Sequence, residues 1–241
     1  MSLLFNGVAA NNVDMGPNRN YFRNVSGGTL MAWVTYGLLG LARTVIGVSV
    51  GTGTGTRAKF SSTVTDGVDF RVRALDADTS AVFATAGGLL ATGGRYHIAC
   101  VVDYTSKTGF IYIDGELAAT GFFAAITAGN TSNTSAQTGT IGASEPGTAN
   151  PWAGQIEDPR VYNRALGPDE VKTIYTARGC DNILTDLFAR WTFNEFAPGV
   201  NASQIPDITG NGNNGAAFGT LPYAPGTLKL SRPKKIIGAR R

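Results

Sequence analysis

The side chains able to do acid–base chemistry are few in this chain and badly spaced for it. Glu157 and Asp158 stand side by side in Ile156-Glu157-Asp158-Pro159. Glycoside hydrolysis with retention needs two carboxyls about 5 Å apart, whereas adjacent residues of a strand point to opposite faces. His97 is the only histidine, and no Gly-x-Ser-x-Gly elbow, His-Glu-x-x-His helix or phosphate-binding glycine loop accompanies it. A core or sheet-surface place is expected for His97, and no enzymatic activity is expected of the chain.

Oxygen donors gather once, in Asp207-Ile208-Thr209-Gly210-Asn211-Gly212-Asn213-Asn214-Gly215. Asp207, Asn211 and Asn213 offer carboxylate and amide oxygens at close spacing, and Glu157 or Asp158 could join them from another strand. Calcium takes six to eight oxygens, so carbonyls and waters would have to complete the shell. The same residues suit a tight turn, in which asparagine tolerates left-handed φ and bonds to its own backbone; both readings stand. The loop is too rich in asparagine and too poor in lysine for a nucleotide cradle. For a sugar the candidate platform is Trp152, with Phe122 and Tyr223 as further aromatics near loops, although aromatics of a sandwich also serve as core. Cys100 and Cys180 are the only cysteines and are expected to be free thiols.

The net charge of +3 is a property of one end. Six of the 20 basic residues, Lys229, Arg232, Lys234, Lys235, Arg240 and Arg241, follow Leu228, where there is no acid; residues 1–228 keep 14 basic against 17 acidic side chains, a net −3. No basic run precedes the tail, so nucleic-acid binding is expected of the tail alone, if at all. Residues 229–241 are the candidate partner-anchoring segment, and Ile236-Ile237 among the cations suits docking on a protein neighbour. The first residues lack a basic n-region and a long apolar stretch, and no run reaches membrane-spanning length. The expectation is therefore synthesis in the cytoplasm with no membrane partner.

The elements that must position these residues are short. Leu30–Val34, Val45–Val50 and Asp69–Arg73 read as strands, the last with Phe70 and Val72 on one face and Asp69, Arg71 and Arg73 on the other. Tyr96–Asp103, Phe110–Ile113 and Glu116–Ala119 read as three antiparallel strands, the second turn being the positive-φ pair Asp114-Gly115. One short helix is expected after Pro168, with Asp169 and Glu170 in its first turn, Val171, Ile174 and Tyr175 as its apolar stripe and Gly179 as its stop. Residues 51–56 and 127–150 carry no pattern, and the acceptor-like Asn130-Thr131-Ser132 and Asn133-Thr134-Ser135 read as loop.

Together Leu4–Gly7, Val13–Gly16, Leu30–Val34, Tyr96–Ala99, Ile111–Gly115, Ile141-Gly142 and Trp152–Leu166 resemble the laminin-G-like, concanavalin A-like lectin and glucanase superfamily. The resemblance implies an all-β, two-sheet antiparallel jelly-roll sandwich with one short helix. The segment similar to Trp191–Gly215 normally comes first in that family. The chain therefore reads as circularly permuted: one domain over residues 1–228, with residues 187–220 completing the N-terminal edge and Trp191–Gly215 lying beside the N-terminal strand near Phe5. Pro159 departs from the family's usual β-branched residue, and its missing N–H predicts a bulge or edge there.

The resemblance also implies functions to weigh. The family's glucanases carry Glu-x-Asp-x-Glu on one strand, which this chain lacks. Related jelly rolls hold structural calcium through loop oxygens, which makes calcium the candidate cofactor. The leading expectation is a non-enzymatic structural or binding protein of a bacteriophage virion surface, a capsid decoration or tail-associated protein anchored by its basic tail with lectin-like loops exposed. The alternative is a calcium-dependent carbohydrate-binding module of an extracellular or surface protein. The partner is thus a viral capsid or tail, or a glycan; self-association is left open.

Overall fold

The computed structural model describes residues 1–49, 54–144, 149–195 and 197–226; the tail proposed as an anchor lies outside them. Two antiparallel sheets face each other. The first runs in the order β10 (Glu116–Phe122), β9 (Thr108–Ile113), β8 (Arg95–Asp103), β3 (Gly27–Tyr36), β12 (Ala153–Tyr162), β1 (Ser2–Asn6) and β16 (Tyr223–Ala224), with β13 (Leu187–Arg190) also paired to β12. The second runs β14 (Gln204–Ile205), β15 (Gly215–Phe218), β2 (Asn12–Asp14), β11 (Gly139–Ile141), β4 (Arg43–Val48), β5 (Arg57–Ser62), β6 (Val68–Arg73) and β7 (Ala81–Ala84). The two-sheet sandwich read from the sequence is what the chain forms.

Alternation makes the core. Leu3, Phe5, Leu30, Val34, Phe60, Phe70, Cys100, Ile111 and Trp191 are all buried between the sheets, as period-2 strands with one apolar face require. β3 is buried almost throughout, because α1 (Pro168–Ala177) covers its other face. Val171 and Ile174 of α1 pack there with Met31, Ala99 and Tyr162 in a second, smaller cluster. Glu170 fastens the start of the helix: its carboxylate accepts the Gly167 N–H at 3.0 Å and pairs with Arg164 at 2.7 Å. Arg178 at φ 49° and Gly179 at φ 82° end it, as a left-handed C-cap does. Neither cysteine is in a disulfide; Cys100 is buried and Cys180 exposed.

The closing segment uses one edge of β12 in two places. Leu3 to Asn6 pair with Ile156 to Ala153, and Leu187 to Arg190 pair with Tyr162 to Arg160 on that same edge, since the other edge belongs to β3. β13 and β1 therefore lie end to end. The strand on the other edge of β1 is β16, with Leu3 opposite Tyr223, not the Trp191–Gly215 segment as expected. That segment leaves the edge at Trp191, whose N–H donates to the Pro159 carbonyl at 3.1 Å, and crosses to the other sheet, where β15 pairs with β2.

Between the two halves of this edge lies the bulge that Pro159 predicts. Glu157 faces Trp33 and Arg160 faces Met31, so Asp158 and Pro159 together oppose Ala32 alone. Asp158 takes φ 48° to make this possible. The bulge changes the reading of the two acids, which do not alternate as in a regular strand. Glu157 bonds Arg95 on the helix-covered side, and Asp158 bonds Arg160 and Arg190.

Candidate binding cleft beneath the helix

The outer face of the first sheet is organised around Trp33. Its indole lies in the row Glu157, Trp33, His97 across β12, β3 and β8. The Arg95 guanidinium sits 4.1 Å from the ring centroid, held in place by Glu157 at 3.3 Å. Tyr175 of α1 stacks on the indole at 5.5 Å and 26°, and the His97 ring lies 5.1 Å away. These partners leave Trp33 only 5 % exposed, with its Nε1 enclosed and without an acceptor.

The β9–β10 turn closes the other side. Asp114 at φ 52° and Gly115 at φ 79° form it; a Cβ on Gly115 would meet the Tyr175 ring at 2.9 Å, so the helix sits this close only because the residue is glycine. The Asp114 carboxylate accepts the His97 N–H at 2.8 Å. What remains between turn, sheet and helix C-terminus is a cleft of about 490 Å³ lined by Trp33, Arg95, Asp114, Tyr175, Thr176 and Arg178. Arg178 is exposed, and among the described residues no carboxylate lies within 4 Å of it. The cleft thus joins an aromatic wall to guanidinium donors, one carboxylate and hydroxyls, the mixture that orients a hydroxylated ligand.

His97 beneath the cleft takes the core role expected of it. It is buried, and loss of hydration, helped by the Arg160 charge, lowers its pKa to about 3. The unfolded chain, with a histidine near its ordinary 6.5, takes up a proton first as pH falls. The stability given by neutral His97 is therefore complete above about pH 6.5 and drains on acidification by up to about 1.4 kcal/mol per pH unit until pH nears the folded value. Urea unfolding at pH 7 and pH 5 should show His97→Gln losing about 2 kcal/mol less than the unsubstituted chain over that interval. Equal losses would mean that His97 is not held neutral.

The other candidate residues fall elsewhere. Trp152 is a correction: it is 0 % exposed, its ring packed edge-on against Tyr36 at 4.7 Å, so it offers no face to a sugar. Tyr223 is buried, and Phe122, 67 % exposed, lies at the β10 edge. The residues named for calcium are not brought together in a form that fits the ion. Glu157 belongs to the Trp33 row. Both Asp207 oxygens already accept hydrogen bonds, from the N–H groups of Arg190, Thr209 and Asn213, the Thr209 hydroxyl and the Asn213 amide. Asn211 and Asn213 turn their amide N–H groups to the Phe188 carbonyl, leaving one enclosed Asn213 Oδ1 with no donor. This is the tight turn of the two readings, far short of six oxygens. Among the described residues no three His, Cys, Asp or Glu side chains form a metal-holding group.

Asp158, the remaining acid, is structural. Its carboxylate accepts from Arg160 at 2.6 Å and from Arg190 at 2.7 Å, and Arg160 also pairs with Asp181 at 2.8 Å. The four charges balance and tie the bulge to β13 and to the loop after α1.

The model of the concanavalin A-like lectin/glucanases superfamily matches residues 6–172. The chain belongs to that superfamily. A search of curated proteins finds no match for it. Among solved structures, members of this fold similar to it include a proposed carbohydrate-binding protein from Bacteroides ovatus, with a TM-score of 0.63 and 17 % identity, covering 92 % of this chain and 61 % of that one. The heptameric SAP-like pentraxin of Limulus polyphemus has a TM-score of 0.56 and 12 % identity over 90 % of this chain and 94 % of its own. The CBM40 of the Ruminococcus gnavus IT-sialidase, bound to alpha2,3 sialyllactose, has a TM-score of 0.55 and 16 % identity over 73 % and 98 %. At such identities the likeness speaks for the lectin-like fold alone. Nothing in the sequence marked the cleft itself, whose lining residues are dispersed; the one local signal was the Asp114-Gly115 turn.

Proposed function

We propose that the chain is a non-catalytic recognition domain that takes a saccharide in the cleft beneath α1. One observation carries this reading: the Tyr175 ring, the Arg95 and Arg178 guanidiniums and the Asp114 carboxylate converge on a single cleft in a lectin-like fold. A ring face with donors and an acceptor at its edge matches the apolar face and hydroxyl rim of a sugar. A glycan array supplies the test. Tyr175→Ala and Arg178→Ala should each weaken the best-bound glycan about tenfold or more. Chelation should change nothing, given the hydrogen bonds at Asp207. An array with no binder, or binders indifferent to both substitutions, removes the proposal.

A second reading is display on an assembly such as a bacteriophage virion. It is supported by the charge partition, in which a tail with six cations and no acid follows a body of net −3. Cosedimentation of particles with a chain ending at residue 228 tests it. Loss of binding supports anchoring through Lys229, Arg232, Lys234, Lys235, Arg240 and Arg241, and unchanged binding counts against it.

A further inference from the structure

Three Asn-Gly pairs occur in the chain, Asn6-Gly7, Asn211-Gly212 and Asn214-Gly215. Such a pair is open to attack on the side-chain amide from within, because glycine places no Cβ between its own nitrogen and the preceding carboxamide. The attack needs a glycine N–H that no acceptor holds and an asparagine side chain free to turn toward it. The fold treats the three pairs differently.

At Asn6 both freedoms are withheld. The Gly7 N–H donates to the Trp152 carbonyl at 2.9 Å, and Asn6 Oδ1 accepts from the Val8 N–H at 3.1 Å and the Asn11 amide at 2.8 Å. At Asn214 the glycine is buried in β15 opposite Ile205, and Asn214 Oδ1 accepts the Asp207 N–H at 2.9 Å. Gly212 is exposed at φ 79°, with open space where a Cβ would stand. Among the described residues its N–H has no acceptor. Asn211 is exposed as well. Its Nδ2 donates to the Leu187 carbonyl at 3.3 Å and to the Phe188 carbonyl at 3.0 Å, the second at the surface, where water competes for the bond.

We propose that Asn211 is a self-modification site, at which the asparagine turn converts irreversibly to aspartate and isoaspartate. The Gly212 nitrogen bonds to Asn211 Cγ, the Cγ–Nδ2 bond breaks, and Nδ2 leaves as ammonia with the proton shed by Gly212. Water then opens the cyclic imide at either carbonyl, giving aspartate, or isoaspartate with an extra methylene in the main chain. The group lost is the donor that ties the turn to β13. A carboxylate in its place sets negative oxygen against the Leu187 and Phe188 carbonyls, in the same turn as Asp207. The neighbouring Asn213 accepts the Trp191 Nε1–H at 2.8 Å and gives its amide to the Phe188 carbonyl at 2.9 Å. Conversion therefore loosens the turn that carries the chain from the first sheet to the second. This site is separate from the cleft beneath α1 and does not depend on it.

The test is ageing of the full chain in mildly alkaline buffer, well below its melting temperature, followed by peptide mapping that separates asparagine, aspartate and isoaspartate peptides. Asn211 should convert about tenfold or more faster than Asn6 or Asn214, where a hydrogen bond or a strand pairing must open before attack. In guanidinium, with the fold removed, the three should convert at similar rates. Asn211→Asp, which carries the product's charge without its rearranged backbone, should melt about 2–6 °C below the unsubstituted chain. The proposal is overturned if Asn211 of the folded chain converts no faster than the other two. It is overturned equally if the same preference persists in guanidinium, which would trace it to the local sequence. A melting temperature of Asn211→Asp at or above that of the unsubstituted chain would overturn the loosening of the turn.

Discussion

Asp158→Ala should cost the fold about 3–5 kcal/mol, read as a fall in melting temperature of about 6–20 °C. The carboxylate takes four hydrogen bonds, two from Arg160 and two from Arg190. The Arg160 side chain is 1 % exposed, so water cannot replace the lost partner. Removing Asp158 leaves two guanidiniums and only Asp181 to balance them. A double-mutant cycle with Arg190→Met separates pairing from packing. The double variant should be less destabilised than the sum of the singles, because the second substitution removes one stranded charge. A single-variant loss below about 1 kcal/mol would mean that water reaches the network.

Trp191→Ala should cost about 3–5 kcal/mol in urea unfolding, and Trp191→Phe distinctly less. Trp191 is 0 % exposed. Its backbone N–H holds the Pro159 carbonyl and its Nε1 donates to the Asn213 carbonyl at 2.8 Å. One residue thus joins the bulge of β12, through its backbone, to the asparagine turn that crosses to the second sheet, through its side chain. Alanine would open a cavity and release that turn from the sandwich. A loss under about 1 kcal/mol would show that the closing segment is not integral to the core.

The parts of the fold legible in the sequence are those whose cause is local. Asp114-Gly115 demanded positive φ wherever the chain went next, Pro159 forbade a regular ladder in any sheet, and Pro168 with Gly179 bracketed a helix by chemistry within a few residues. β5 was harder, because Arg57, Lys59, Ser61 and Ser62 dilute the strand signal of Phe60, and β11 hides in a run of Ser, Thr, Asn and Gly. The cleft was not legible at all. Trp33 reads as one more apolar residue of a buried strand and Tyr175 as part of a helical stripe, and only the placement of α1 across β3 and β8 joins them to Arg95. Trp152 misled for the converse reason: its Pro, Ala and Gly neighbours look like an exposed loop, but Tyr36 and the sheet interior receive its ring.

The end-to-end placement of β1 and β13 along β12 has a kinetic consequence. β1 is made well before its neighbours, since Leu3 finds its ladder partners only at Ile156 and Tyr223. Until β12 emerges, Leu3 and Phe5 have no sheet to join, and until β16 emerges one side of β1 stays an open edge. Closing loops of that length precedes any reward from the contacts, which slows folding and prolongs exposure of an apolar strand. Growth from the ribosome thus leaves β1 waiting for β12 and β16, both made long after it.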